Sequence, residues 1–401
     1  MTAPADLLTT EGRPARTEWT LDPAVAHLNH GSFGAVPFAA QEAQRAFAKA
    51  MEANPSTWFK GLPARVAAAR REVEQFLGAE QDSLGLVPNA SAGATVVFSS
   101  IHGFPGMEVV TTDHAYGAVA MGAERLARRW DGAVITVPIP LAAGAQEVEE
   151  AVMAHVGPRT ALIVIDAVTS ATARRLPVAK ITTAARRIGV PVLVDAAHAP
   201  GVFAAPLGKM DGDFWVGNLH KFACAPRGTA ALVVAEPHRA DVSPLIDSWG
   251  APYPFPTSFD HQGTLDNTGY LAAGSAFRTI EERFGWTSVL GYMDTLGDYA
   301  EEIVGRSVSD LFGFDARVDV GMPVGAMRLI RLPKGLVTTP EEAEEFRAYL
   351  SDVARAETAI TCWNGSGFLR LSVHAYNTAG DYEDFAERVV PLFADFLALR
   401  R

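Results

Sequence analysis

The stretch V-P-V-L-V-D-A-A-H-A-P-G, residues 190–201, decides how this chain is read. An apolar, mostly β-branched run over 190–194 ends in a carboxylate, Asp195, and His198 follows three residues on. A short continuous apolar run bounded by turn residues reads as a strand buried on both faces. Similar runs occupy 108–112, 133–137, 161–165, 214–216 and 229–234. Between several of them the apolar spacing is helical, over 117–129, 146–155 and 177–188. Buried strands alternating with helices define an α/β fold, with a mostly parallel central sheet flanked by helices. In such sheets ligands sit beyond the carboxyl ends of the strands.

Working outward, helical spacing also covers 36–53 and 63–77, while residues 1–20 show no clear period and read as a flexible lead-in. After about residue 255 the pattern changes. Two long helical stretches, 267–284 and 287–311, precede strands at 327–331 and 368–373 and helices at 340–356 and 381–399. The expected organisation is a large α/β domain over 21–265, bridging helices over 266–311 and a smaller α+β C-terminal domain over 312–401. Residues 21–35 are free to join the smaller one.

Composition narrows the function. The 401 residues carry 34 Lys+Arg against 46 Asp+Glu, a formal charge of −12. That balance opposes broad binding to nucleic acid or to anionic membranes, both of which need clustered cations. No apolar run is long enough to span a bilayer and no signal-peptide core opens the chain, so neither a membrane nor a nucleic-acid partner is expected. Two cysteines make no disulfide framework, which points to a reducing cytoplasm. Only six of the basic residues are lysines, which draws attention to any lysine in an apolar setting.

Lys221 is in such a setting. In D-F-W-V-G-N-L-H-K-F, residues 213–222, His220 and Lys221 stand just past a strand end, 26 residues after Asp195. Taken alone, Asp195 reads as a turn cap and Lys221 as a loop lysine. Delivered together to one rim of a parallel sheet, they suit pyridoxal phosphate. That cofactor needs a lysine for its Schiff base and a carboxylate to keep its pyridine nitrogen protonated. Its phosphate needs a cradle, and P-N-A-S-A-G-A-T, residues 88–95, leads small residues into a helix whose first amides and Ser91 hydroxyl would bind an anion. No G-x-G-x-x-G fingerprint or Walker P-loop is present, which disfavours dinucleotides and nucleoside triphosphates.

Four motifs in order, L-N-H-G-S-F-G (28–34), V-D-A-A-H-A-P-G (194–201), G-N-L-H-K (217–221) and R-L-S-V-H-A-Y-N-T (370–378), make the chain resemble the class V aminotransferase family of fold type I pyridoxal-phosphate enzymes. The isopenicillin N epimerase-like branch is the most similar, and the resemblance runs from about Leu21 to Leu399. It implies Lys221 as the catalytic lysine that binds the cofactor and moves the Cα proton. It implies Asp195 at the pyridine nitrogen and His198 at the ring hydroxyl. Asn218 and His220 match phosphate contacts, as do Ala90, Ser91 and Ala92. Tyr116 aligns with the ring-stacking aromatic, with His114 as the alternative. Gly263 and Thr264 match a loop that reaches a neighbouring subunit's phosphate, implying a homodimer. Arg370, Asn29 and His30 match the substrate side, with Arg370 clamping the α-carboxylate.

The implied activity is that of a lyase or epimerase working at Cα or Cβ of an amino acid or cysteine S-conjugate in specialised metabolism, such as antibiotic biosynthesis. C–S β-elimination and epimerisation lead. Transamination and decarboxylation-coupled oxidative deamination are alternatives, and a catalytically silent cofactor-binding homologue is the reading from another class. Cys362, eight residues before Arg370, lies in I-T-C-W-N-G, which does not resemble a persulfide loop and reads as a packed thiol. Cys224 is read the same way. His27 and His30 have metal-like spacing but no converging ligand set, so no metal is expected.

Overall fold

The structure, a computed structural model, describes residues 1–209 and 212–400. It divides into two compact units. The first comprises residues 1–35, 169–175 and 280–401; the second comprises 36–168 and 176–279.

The second unit is built on seven strands: β1 (Leu84–Val87), β2 (Glu108–Thr112), β3 (Ala133–Val137), β4 (Thr160–Asp166), β5 (Val192–Asp195), β6 (Phe214–Asn218) and β7 (Ala230–Val234). Their order across the sheet is β1-β7-β6-β5-β4-β2-β3. Neighbours pair in parallel from β6 through to β3, and only β7 runs against its two neighbours. The α/β expectation is met. β1 is the strand that the sequence pattern did not single out. Its run L-G-L-V is short, and an interior glycine weakens the strand signal.

Both faces of the sheet are covered, which explains why β5 is apolar at every position before its final aspartate. Val192, Leu193 and Val194 are all fully buried. On one face the helices Ala90–Ser100 and Gly117–Arg129 bring Val97, Phe98, Val119 and Leu126 into a core with Leu193, Val216 and Leu232. The helix Val178–Arg187 buries Ile181 and Ala185. Each fully buried Leu or Val contributes about 1.5–3 kcal/mol through burial. Turns at the carboxyl ends of β4, β5 and β6 are thereby held on a rigid base.

The first unit holds a three-stranded antiparallel sheet, β8 (Met327–Arg331), β9 (Ala359–Trp363) and β10 (Ser366–Ser372), with β10 in the middle. The helix Trp286–Phe312 belongs to it, as does Pro340–Ala354. The N-terminal segment packs here too: Trp19 is buried and stacks on Phe284. The single C-terminal helix expected over 381–399 is instead broken. A helix Ala379–Asp384 passes into a π-turn, Phe385–Val389, and resumes as Leu392–Leu399. Pro391, which has no N–H to continue the ladder, stands at the break. Among the described residues no helix is long and apolar enough to cross a membrane.

Candidate active site

In the second unit, β4, β5 and β6 end side by side, and the parallel register pairs Asp166 with Asp195. Asp195 is 2% exposed. One carboxylate oxygen accepts from the Ala197 backbone N–H at 3.0 Å, and the other, Oδ2, is buried with no hydrogen-bond partner. Burial raises the Asp195 carboxyl above its ordinary range, while the Ala197 amide and the charge of Lys221 work the other way. An unsatisfied buried carboxylate oxygen is costly, so it marks a place for a donor that arrives from outside the chain.

After β6 the chain turns sharply. Leu219 N–H donates to the Thr229 carbonyl, and the Cys224 amide closes onto the Lys221 carbonyl at 2.9 Å. This turn presents Lys221, whose amine lies 3.0 Å from Nε2 of His198. The loop after β5 that carries His198 crosses the turn at Gly201. There φ is +80°, and a Cβ would stand 2.3 Å from the Phe222 carbonyl oxygen. Only glycine permits that approach.

The start of the helix Ala90–Ser100 is adjacent. Asn89 caps it, accepting from the Ala92 amide at 2.8 Å, and Asn218 Oδ1 accepts from the Ala90 amide at 2.8 Å. Two of the amides assigned to phosphate are thus held by asparagine side chains here. Ser91 adds its hydroxyl at the first turn of the helix. His220 donates from Nδ1 to the Thr229 carbonyl at 2.9 Å, and burial lowers its pKa, favouring the neutral ring.

Of the two aromatic candidates, His114 is 1% exposed, and its Nε2 donates to the Ile139 carbonyl at 2.8 Å. Tyr116 caps the helix Gly117–Arg129 and is 43% exposed. Gly263 and Thr264 follow a pinned segment. Arg70 donates to the Asp260 carboxylate at 3.1 Å, and Gln262 donates to the Phe259 carbonyl at 3.1 Å. Thr264 itself is exposed.

Arg370 is in the first unit, in the central strand β10, and is 2% exposed. Its guanidinium donates to the Ser170 carbonyl at 2.6 Å, to Ser32 Oγ at 2.8 Å and to Asn29 Oδ1 at 3.3 Å. Asn29 is held in turn, donating to the Thr358 carbonyl at 3.1 Å. The backbone of Leu28 accepts from the Ser372 amide, which lays the N-H-G-S turn along β10. His30 is buried, stacked on His374 with ring centroids 4.1 Å apart and 3.0 Å from the Tyr376 hydroxyl. Reading the sequence missed Ser32, Ser170 and Asp166. For Asp166 the signal was present: T-A-L-I-V-I-D, residues 160–166, ends in an aspartate just as 190–195 does.

The residues present fit pyridoxal phosphate. A buried, unsatisfied Asp195 oxygen, an amine at Lys221 and a helix N-terminus lined with small residues are the three features that the cofactor's ring nitrogen, aldehyde and phosphate require.

Comparison with known proteins agrees. The family model "Aminotransferase class-V" matches residues 39–304. The chain is 30% identical to isopenicillin N epimerase of Amycolatopsis lactamdurans, over 94% of this chain and 98% of that protein. It is 27% identical to an L-cysteine desulfhydrase of Arabidopsis thaliana, over 92% and 88% respectively. The apo structure of cysteine desulfurase from Thermococcus onnurineus NA1 superposes with a TM-score of 0.78 at 18% identity, covering 98% of this chain and 100% of that one, which speaks for a shared fold.

Proposed function

This chain belongs to the class V aminotransferase family, and from that premise we propose that it is a pyridoxal-phosphate-dependent lyase or epimerase acting at Cα or Cβ of an amino acid or cysteine S-conjugate. When bound, the cofactor supplies an electrophilic carbon for the substrate amine and a protonated ring that draws electrons from Cα. The observation that carries the reading is the buried, unpartnered Oδ2 of Asp195 on the strand next to the one leading to Lys221.

Each residue then has one task. Asp195 accepts from the protonated ring nitrogen. Lys221 holds the cofactor covalently and, once displaced by substrate, takes the Cα proton at Nζ. His198 accepts from that amine and steers it. The Ser91 hydroxyl and amide, Asn218 and His220 would hold the phosphate, and the Ala90 and Ala92 amides would join them by exchanging their asparagine partners for it. Tyr116, with its exposed ring, would cover the cofactor face in preference to the buried His114. Arg370 receives the α-carboxylate, with Asn29 beside it, and His30 buttresses that pair from behind. In a homodimer, Gly263 and Thr264 would serve the neighbouring subunit's phosphate. Two cysteines, neither in a disulfide, fit a cytoplasmic enzyme.

After the Cα proton is removed, two outcomes compete. In β-elimination the C–S electron pair leaves with the thiolate, and hydrolysis of the remainder yields pyruvate and ammonia. In epimerisation the proton returns to the opposite face. The test starts from the visible absorbance of purified protein with pyridoxal phosphate, which Lys221→Ala abolishes. Incubation with cysteine S-conjugates follows. Pyruvate with free thiol marks lysis, and racemised substrate without pyruvate marks epimerisation. A Lys221→Ala protein that still turns over would end the proposal.

A further inference from the structure

Asp166 lies at the end of β4, in register with Asp195, so the two side chains leave the same face of the sheet from neighbouring strands about 4.8 Å apart. Both residues are 2% exposed. Among the described residues neither forms an ion pair. The one cation acting on the pair is Lys221, and it acts on Asp195. Backbone amides act on both: Ala197 N–H donates to Asp195 at 3.0 Å, and the Tyr116 and Asp166 amides favour the charged form of Asp166, so it is the charge of Lys221 that separates the two. Two buried carboxylates placed this way do not both ionise, and the one with less support keeps its proton. Burial, and then the charge of Asp195, push Asp166 well above the carboxylate range.

We propose that Asp166 is protonated beside an ionised Asp195, and that in this form it is a positioning residue holding both the Asp195 carboxylate and the Tyr116 turn in place. The role at Asp195 rests on the reading that Asp195 faces the cofactor's ring nitrogen. One proton on the pair leaves a single negative charge to meet a single positive ring nitrogen, so that end of the site would be charge-balanced when filled. Through the Tyr116 amide, the same side chain ties the ring-nitrogen end of the site to the residue assigned to cover the ring.

The test compares Asp166→Asn with Asp166→Ala. Asparagine is a neutral isostere of the protonated acid, and it keeps an acceptor for the Tyr116 amide. Infrared difference spectra of the cofactor-free protein at neutral pH should show a protonated carboxylic-acid carbonyl band that Asp166→Asn removes. The dissociation constant for pyridoxal phosphate should stay within about twofold of wild type in Asp166→Asn and weaken about tenfold or more in Asp166→Ala, a tenfold change being 1.4 kcal/mol. An unchanged band in Asp166→Asn overturns the proposal, as does an asparagine variant that binds as weakly as alanine or an alanine variant that binds like wild type. Should Asp166→Ala not fold, the band and the affinity of Asp166→Asn decide alone. The infrared band needs no cofactor, so it judges Asp166 even if wild type fails to bind pyridoxal phosphate; that result would instead sink the cofactor reading.

Discussion

Replacing Gly201 by alanine tests how tightly the two turns of the cofactor site are bound to each other. The φ of +80° costs an L-residue about 1–2 kcal/mol. The new Cβ would also stand 2.3 Å from the Phe222 carbonyl oxygen and 2.6 Å from the Ala223 amide nitrogen. These are backbone atoms and cannot rotate away, so one turn must move, at an overpacking cost of about 1–3 kcal/mol. The sum is roughly 2–5 kcal/mol, and the displaced residues adjoin Lys221. Gly228 supplies the control, because its φ is +76° and nothing lies within 4 Å of its added Cβ. Gly228→Ala therefore carries the backbone strain without the collision. Urea unfolding followed by near-ultraviolet circular dichroism should show Gly201→Ala less stable than Gly228→Ala by about 1–3 kcal/mol. Its affinity for pyridoxal phosphate should drop at least about tenfold, since 1.4 kcal/mol is one decade. Equal stability and equal affinity in the two variants would refute the claim that this crossing positions the lysine.

Three further outcomes follow from the geometry. Arg370→Lys loses the fork that reaches Ser170, Ser32 and Asn29 together; KM for the amino acid should rise about tenfold or more, with a smaller change in kcat, because charge-assisted hydrogen bonds contribute about 1.5–3 kcal/mol. His220 has its pKa lowered in the fold by burial, so below the unfolded value near 6.5 the unfolded chain takes up a proton that the native ring does not. Stability of the cofactor-free protein should fall as pH drops through that value, levelling once native His220 is itself protonated, and His220→Gln should flatten this part of the melting profile. Cys224 is fully buried and its thiol is pushed up by desolvation, so a thiol reagent should label at most Cys362 in the native protein and both cysteines after denaturation.

Much of the second unit was legible because buried parallel strands leave a plain signal. β2 and β3 fall on the expected bounds, and β5 and β6 differ from expectation by a residue or two at their ends. β1 escaped because it has four residues with a glycine inside, and β9 because A-I-T-C-W places a threonine within a short apolar run. At the site, Asp195, His198 and Lys221 could be read because they lie within 26 residues and end two consecutive strands. Ser170 and Ser32 could not, since they reach Arg370 across 200 and 338 residues of chain. A serine hydroxyl or carbonyl turned toward an arginine leaves no mark in local sequence. Asp166 carried the same strand-ending signal as Asp195, but it had no lysine counterpart to single it out.

The first unit is assembled from three separated pieces of chain, residues 1–35, 169–175 and 280–401. A ribosome delivers these in order, and a growing chain folds from its N-terminal side. The sheet that carries Lys221 is complete in sequence once β7 ends at Val234, while Asn29, Ser32 and Ser170 have long been synthesised without the arginine that unites them. Arg370 emerges some 135 residues later. During synthesis Lys221 and Asp195 can thus be in place well before Arg370 exists, so a nascent or C-terminally truncated chain has the residues proposed to take up cofactor but lacks the arginine proposed to bind a substrate carboxylate.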